Sequence, residues 1–112
     1  SEVSKLFRDG GIITLAAFIS PLKKDRENAR RLISDRDFIE VHCHCPIRVC
    51  ESRDPKGLYK LARRDEIKDF TGITSPYEPP GCPEVRIPTA ELSIEEGAEL
   101  VIEVLKKRGV IP

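Results

Sequence analysis

Tryptophan is absent, and only four phenylalanines and two tyrosines occur in 112 residues, so each aromatic set in a loop needs a reason. No apolar run reaches the length of a membrane span. Residues 1–9 are charged and lack the apolar core of a signal peptide, so the expected setting is cytoplasmic. Net charge is missing too: 19 Lys+Arg face 19 Asp+Glu. No global field draws the chain to nucleic acid or to a membrane, and any anion site must be local. There is no internal repeat and no low-complexity tract. The phosphate-cradling pattern G-x-x-x-x-G-K-[ST] occurs nowhere, and no Ser/His/Asp constellation is legible.

Cysteine is present, but not as a framework. Cys43, Cys45 and Cys50 crowd together and Cys82 stands apart. Two of them lie in an apolar run, which suits buried, reduced thiols better than disulfides. Cys43 and Cys45, two apart on a strand, are held too far apart to bridge. His42 and His44 alternate with Cys43 and Cys45, so a strand sends the two ligand pairs to opposite faces. Two ligands per face is half a zinc site, and no metal is expected there.

What is there reads as α/β. Val3, Leu6 and Phe7 have helical spacing, stopped by Gly10 and Gly11. Residues 12–19 are an apolar run without alternation, predicted as a strand buried on both faces in a parallel sheet. Residues 25–34 form a polar helix with Ala29, Leu32 and Ile33 inward. A second buried strand is expected over 38–45, parallel to the first, and a short helix over 46–53 with proline in its first turn. A basic helical stretch spans 56–68. The proline-rich segment around Pro76, Pro79, Pro80 and Pro83 is loop, and 84–87 can form a short strand. The helix over 93–108 is the clearest: Ser93 and Glu96 make a capping box, Ile94, Ala98, Val101, Ile102 and Leu105 form the expected inner face, and Lys106, Lys107 and Arg108 suit its carboxyl end. Two strands make a poor sheet on their own. The pattern therefore suggests a fragment, or a chain that completes its sheet with another polypeptide.

Ligands of open α/β sheets bind beyond the carboxyl ends of the strands, here Phe18-Ile19-Ser20-Pro21 and His44-Cys45-Pro46. Lys56, Lys60, Arg63 and Arg64 recur at helical spacing and can clamp phosphate or simply face water. Gly57 offers a hinge, and Phe70-Thr71-Gly72 puts a lone ring beside a flexible residue. That is the make-up of a lid over a nucleotide.

These residues also carry a resemblance. Phe18-Ile19-Ser20-Pro21, Asp25-Arg26-Glu27-Asn28-Ala29-Arg30, Cys50-Glu51-Ser52-Arg53-Asp54-Pro55-Lys56-Gly57-Leu58-Tyr59-Lys60, Ala62-Arg63, Glu66-Ile67-Lys68-Asp69-Phe70-Thr71-Gly72-Ile73 and Ser75-Pro76-Tyr77-Glu78-Pro79-Pro80 resemble adenylylsulfate kinases in sequence and order. The resemblance covers nearly all of residues 1–112 and is to the C-terminal half of that kinase domain. It implies a P-loop kinase fold and phosphoryl transfer from Mg2+-ATP to the 3′-hydroxyl of adenosine 5′-phosphosulfate, in sulfate assimilation. By resemblance, Phe18, Ile19 and Ser20 border the adenylylsulfate pocket. Lys56 contacts that substrate from a lid over about 54–83, while Asp69 and Phe70 pack on its adenine. Arg53, Thr89 and Leu92 lie by the ATP base, with Arg53 suited to stacking. Lys56 and Arg63 offset charge in the transfer. Ser20 matches a serine assigned as a phosphoserine intermediate in some members, although in-line transfer requires only positioning and charge stabilisation.

Two departures stand out. His44 occupies a position where the family usually has Asp, and Arg64-Asp65 replaces a common Ala-Gly pair, adding charge and stiffening the lid. The family's phosphate loop, catalytic Asp and most ligands of the magnesium are not among these residues, so the 112-residue chain is expected to be inactive alone. The full-length parent is expected to be a homodimer, with neither nucleic acid nor membrane as partner. The alternatives are a non-catalytic nucleotide-binding or complementation module, and the kinase part of a bifunctional sulfurylase–kinase.

Overall fold

Val3, Leu6 and Phe7 belong to α1 (Glu2–Asp9), which ends where Gly10 N–H reaches the Leu6 carbonyl and Gly11 takes φ +78°. A computed structural model describes residues 1–112. After α1 come α2 (Lys23–Ile33), β1 (Val41–His44), α3 (Ile47–Arg53), α4 (Leu58–Arg63), β2 (Val85–Pro88) and α5 (Ile94–Lys107). The two strands pair in parallel, Val41 opposite Val85 and His44 opposite Pro88. This is a small piece of a parallel α/β sheet with helices beside it. No helix is long and apolar enough to cross a membrane.

Helix α5 lies on β2. Ser93 accepts from Glu96 N–H and Glu96 from Ser93 N–H, so the capping box predicted from sequence is formed. Gly97 is buried against the sheet, where a Cβ would come within 2.9 Å of Ile87 Cγ2. With Ala62, Val85 and Ile87 as its buried apolar residues, the core is very small. The radius of gyration, 16.0 Å, exceeds the ~13 Å of a compact chain of this length.

Charge does much of the joining. Arg30 forks onto Glu84 at 2.7 and 2.8 Å, and Glu84 also accepts Glu40 N–H at 2.7 Å. Arg26 Nε stands 3.0 Å from Glu40 Oε1, and Arg108 reaches Glu84 at 3.5 Å. Helix α2, the starts of both strands and the end of α5 thus meet at one cluster. Burial alone would push the Glu84 carboxyl up. The Arg30 guanidinium overrides this and, with the backbone N–H groups of Glu40 and Glu84, holds it at about 2.

Several expectations are corrected. Residues 12–19 form no strand: Ile12, Ile13, Leu15, Phe18 and Ile19 are exposed, and residues 13–19 make no backbone–backbone hydrogen bond. The run is apolar enough for a central strand, but no neighbouring strand flanks it. The strand expected over 38–45 is Val41–His44, and its parallel partner is β2 rather than 12–19. On α5 the apolar residues wrap further round than two strands can cover, so Ile94 and Ile102 face solvent with Ala98. The basic stretch 56–68 is helical only over Leu58–Arg63, and Lys56 precedes it. The thiols are free, but Cys43 and Cys82 are exposed rather than buried, because only part of the sheet's surface is covered.

Candidate functional site

The carboxyl ends of β1 and β2 meet through main chain. Thr89 gives both its N–H, at 2.9 Å, and its hydroxyl, at 3.1 Å, to the His44 carbonyl. The Thr89 carbonyl in turn accepts Arg53 Nη1 at 3.1 Å. Leu92 follows on the same turn, its N–H on the Pro88 carbonyl. Arg53, Thr89 and Leu92, separated by up to 39 residues, are therefore gathered at one end of the sheet. Because His44 contributes its carbonyl here, a histidine in place of Asp leaves this junction intact. On one face of β1, His42 lies edge-on to His44 with ring centroids 5.5 Å apart, and the Tyr77 ring is 6.3 Å away. Burial, with help from His44 and Arg86, lowers the His42 pKa.

The segment expected to form a lid follows α3, from Asp54. Asp54 caps α4, accepting the N–H groups of Tyr59 and Lys60 at 3.1 Å each. Gly57 at φ +68° makes the corner that only glycine adopts freely. Lys56 is exposed beside it. Helix α4 stops because Asp65 takes φ +59°, and Asp69 does so again at φ +54°. The position where the family commonly has glycine thus keeps a left-handed backbone, with Asp tolerating it through its short polar side chain. Phe70 is half-buried, packed edge-on to Tyr59 at 5.0 Å, so part of its ring already has a partner. Arg63 pairs with Glu51 at 2.6 Å. Glu51, Tyr59, Lys60, Arg63 and Arg64 surround an open cavity of about 310 Å³.

Phe18 and Ile19 are exposed, at 83% and 71%, and Ser20 turns at φ +42°. The loop around Glu78 returns to this point. Glu78 N–H donates to the Pro21 carbonyl at 2.8 Å, and its carboxylate accepts Lys23 N–H at 2.6 Å, an otherwise open donor at the start of α2. Arg26 donates to the carbonyls of Ser20 at 2.7 Å and Glu78 at 2.6 Å.

Of the sequence-predicted site residues, the structure joins Arg53 with Thr89 and, through Arg26, joins Ser20 to Glu78. No hydrogen bond or ion pair links Lys56, Asp69 or Phe70 to residues 18–20. Arg26 and Glu78 escaped the sequence reading as site residues, although both lie within the quoted motifs. Nothing in local spacing joins these two residues, which are 52 positions apart. No three His, Cys, Asp or Glu side chains converge to hold a metal ion.

The family model for adenylylsulphate kinase matches residues 1–88. The chain belongs to the adenylylsulphate kinase family. An adenylyl-sulfate kinase of Acaryochloris marina is 54% identical over 110 residues, covering 98% of this chain and 54% of its own length. That of Clostridium acetobutylicum is 54% identical over 111 residues, covering 99% of this chain and 55% of its own. An APS kinase of Mycobacterium tuberculosis, solved in complex with AMPPNP and APS, matches with a TM-score of 0.87 and 46% identity, over 94% of this chain and 61% of that one. The chain thus spans about half the length of the curated relatives it matches.

Proposed function

We propose that this chain is the lid-bearing part of an adenylylsulfate kinase domain, which transfers the γ-phosphate of ATP to the 3′-hydroxyl of adenosine 5′-phosphosulfate. The observation that carries this reading is the junction of Arg53, Thr89 and the His44 carbonyl at the strand ends. That is where ligands of parallel α/β sheets bind, and the lid departs from the same place. The family relatives named as adenylyl-sulfate kinases support it. Phe18, Ile19 and Ser20 would form one wall of the sulfate-nucleotide pocket, with Lys56, Asp69 and Phe70 arriving from the lid. Arg53, Thr89 and Leu92 would contact the ATP base. Lys56 and Arg63 would offset phosphate charge, Arg63 after exchanging Glu51 for ligand. Ser20 would contribute by position, since phosphoryl transfer in line needs no covalent serine step.

The 112 residues contain no phosphate loop, so they would bind without turning over. Two measurements test this. Calorimetry should show adenosine 5′-phosphosulfate binding to the chain, and its absence would sink the pocket assignment. A coupled ADP-release assay should show no turnover; a rate above ~1 s⁻¹, the low end of ordinary enzymes, would refute the expected inactivity.

The exposed apolar run over 12–19 favours a second reading, a chain that completes its sheet with another polypeptide. Co-expression with the N-terminal half of a relative separates the two: a soluble, catalytically active pair supports complementation of a kinase, and a soluble but inactive pair supports a non-catalytic module.

A further inference from the structure

We infer that Arg26 is a positioning residue for the adenylylsulfate pocket, clasping Ser20 of the pocket wall to Glu78 at the lid's second root so that wall and lid are set as one piece. The inference rests on the functional reading above. Ser20 is not glycine, yet its backbone sits at φ +42°, a conformation that persists only where its surroundings fix it. Arg26 supplies that fixing. One arm of its guanidinium donates to the Ser20 carbonyl at 2.7 Å and the other to the Glu78 carbonyl at 2.6 Å. Its third nitrogen faces Glu40 Oε1 at 3.0 Å, a buried oxygen that has no hydrogen-bond partner of its own. The Arg26 side chain is only 11% exposed, so the fork is not a loose surface contact.

The lid end of the clasp is doubly held. Glu78 N–H binds the Pro21 carbonyl, and its carboxylate holds Lys23 N–H. At the other root Gly57 takes a left-handed backbone, held by its N–H on the Asp54 carbonyl and by the Asp54 carboxylate that caps α4. The clasp at Glu78 is the one that reaches the wall the lid must meet. A planar fork with divergent donors suits this task, whereas an ammonium cannot span both carbonyls in fixed geometry.

The test uses the 112-residue chain with Arg26→Lys, which keeps a cation beside Glu40, and Arg26→Gln as a second variant. Three quantities are read: affinity for adenosine 5′-phosphosulfate by calorimetry, melting temperature, and amide exchange at Glu78 and Thr89. Loss of a charge-assisted fork should weaken adenosine 5′-phosphosulfate binding by about tenfold or more. Exchange at Glu78 should quicken while Thr89 keeps its wild-type rate, and the melting temperature should fall less for Arg26→Lys, which keeps a cation beside Glu40, than for Arg26→Gln. Unchanged affinity despite a freed Glu78 amide would overturn the positioning role. So would a lowered melting temperature with Thr89 freed alongside Glu78, or failure of both variants to fold, since Arg26 would then be a structural strut. If the wild-type chain binds no adenosine 5′-phosphosulfate, the functional reading falls and this inference with it. Binding by the wild type that Arg26→Lys does not diminish removes the inference alone.

Discussion

Replacing Glu84 with Gln removes the charge at the centre of the cluster that joins α2, both strands and the end of α5. The Glu84 side chain is 16% exposed and Arg30 23%, so water screens this pair only in part. A carboxyl held at about 2 rather than near 4.5 favours the folded state by roughly 3 kcal/mol. Glutamine can still accept from Arg30 and from Glu40 N–H, and Arg30 keeps Asp35 and Glu40 within 2.9 and 3.5 Å. The net loss at neutral pH should therefore be about 2 kcal/mol, below the 3–5 kcal/mol of a buried pair stripped of one member. Because the folded carboxyl titrates below its unfolded counterpart, its stabilisation is complete above about pH 4.5 and vanishes as pH falls toward 2. Urea unfolding of both proteins between pH 7 and pH 2.5 reads this directly. The gap in stability should be widest at neutral pH and shrink steadily in acid. Equal stability at pH 7, or a gap that does not change with pH, would show that Glu84 acts by shape rather than charge.

Gly97→Ala should destabilise the chain by about 1–3 kcal/mol despite alanine's better helix propensity, because its methyl meets Ile87 Cγ2 at 2.9 Å; a gain in melting temperature would refute that packing. Asp65→Val should cost about 1–2 kcal/mol, since a branched residue resists the left-handed turn that ends α4, while Asp65→Gly should leave the denaturation midpoint nearly unchanged. In a kinase that carries both halves of the domain, Phe70→Ala should weaken adenylylsulfate binding by roughly ten- to hundredfold, with little salt dependence. Lys56→Ala should weaken it in a strongly salt-dependent way. A selective loss of ATP affinity on Phe70→Ala would move the ring out of the substrate pocket.

Local codes were legible in the sequence. The Ser93 and Glu96 box, the glycine stop after α1, and the loop character of the proline-rich segment around 76–83 depend on neighbours a few residues away, and all are found. The alternation at His42 and His44 placed their rings together on one face. What depended on distant partners was not legible. Arg30 and Glu84 are 54 residues apart, and no periodicity links them. Phe70 was read as a ring without a core, yet Tyr59 covers one edge. Hydropathy predicts burial for residues 12–19, which the structure leaves exposed, because burial needs a second surface and the sequence of the run does not contain one. The face of α5 was misassigned for the same reason: a wide apolar arc can be read from sequence, but the part of it that a small sheet covers cannot.

That uncovered run has a consequence for the chain as a substance. Residues 12–19 carry no charge and no proline, and residues 13–19 leave their backbone donors and acceptors without a backbone partner. Such a segment meets the requirements for in-register stacking between molecules, where identical strands pair and their side chains interlock. Neither lysine nor a bulge guards its edge, as edges of stable sheets are guarded. In concentrated solution the chain should be a seed for cross-β fibrils, forming with a lag that shortens as concentration rises, and one charged residue at Leu15 should lengthen that lag without disturbing β1, β2 or α5.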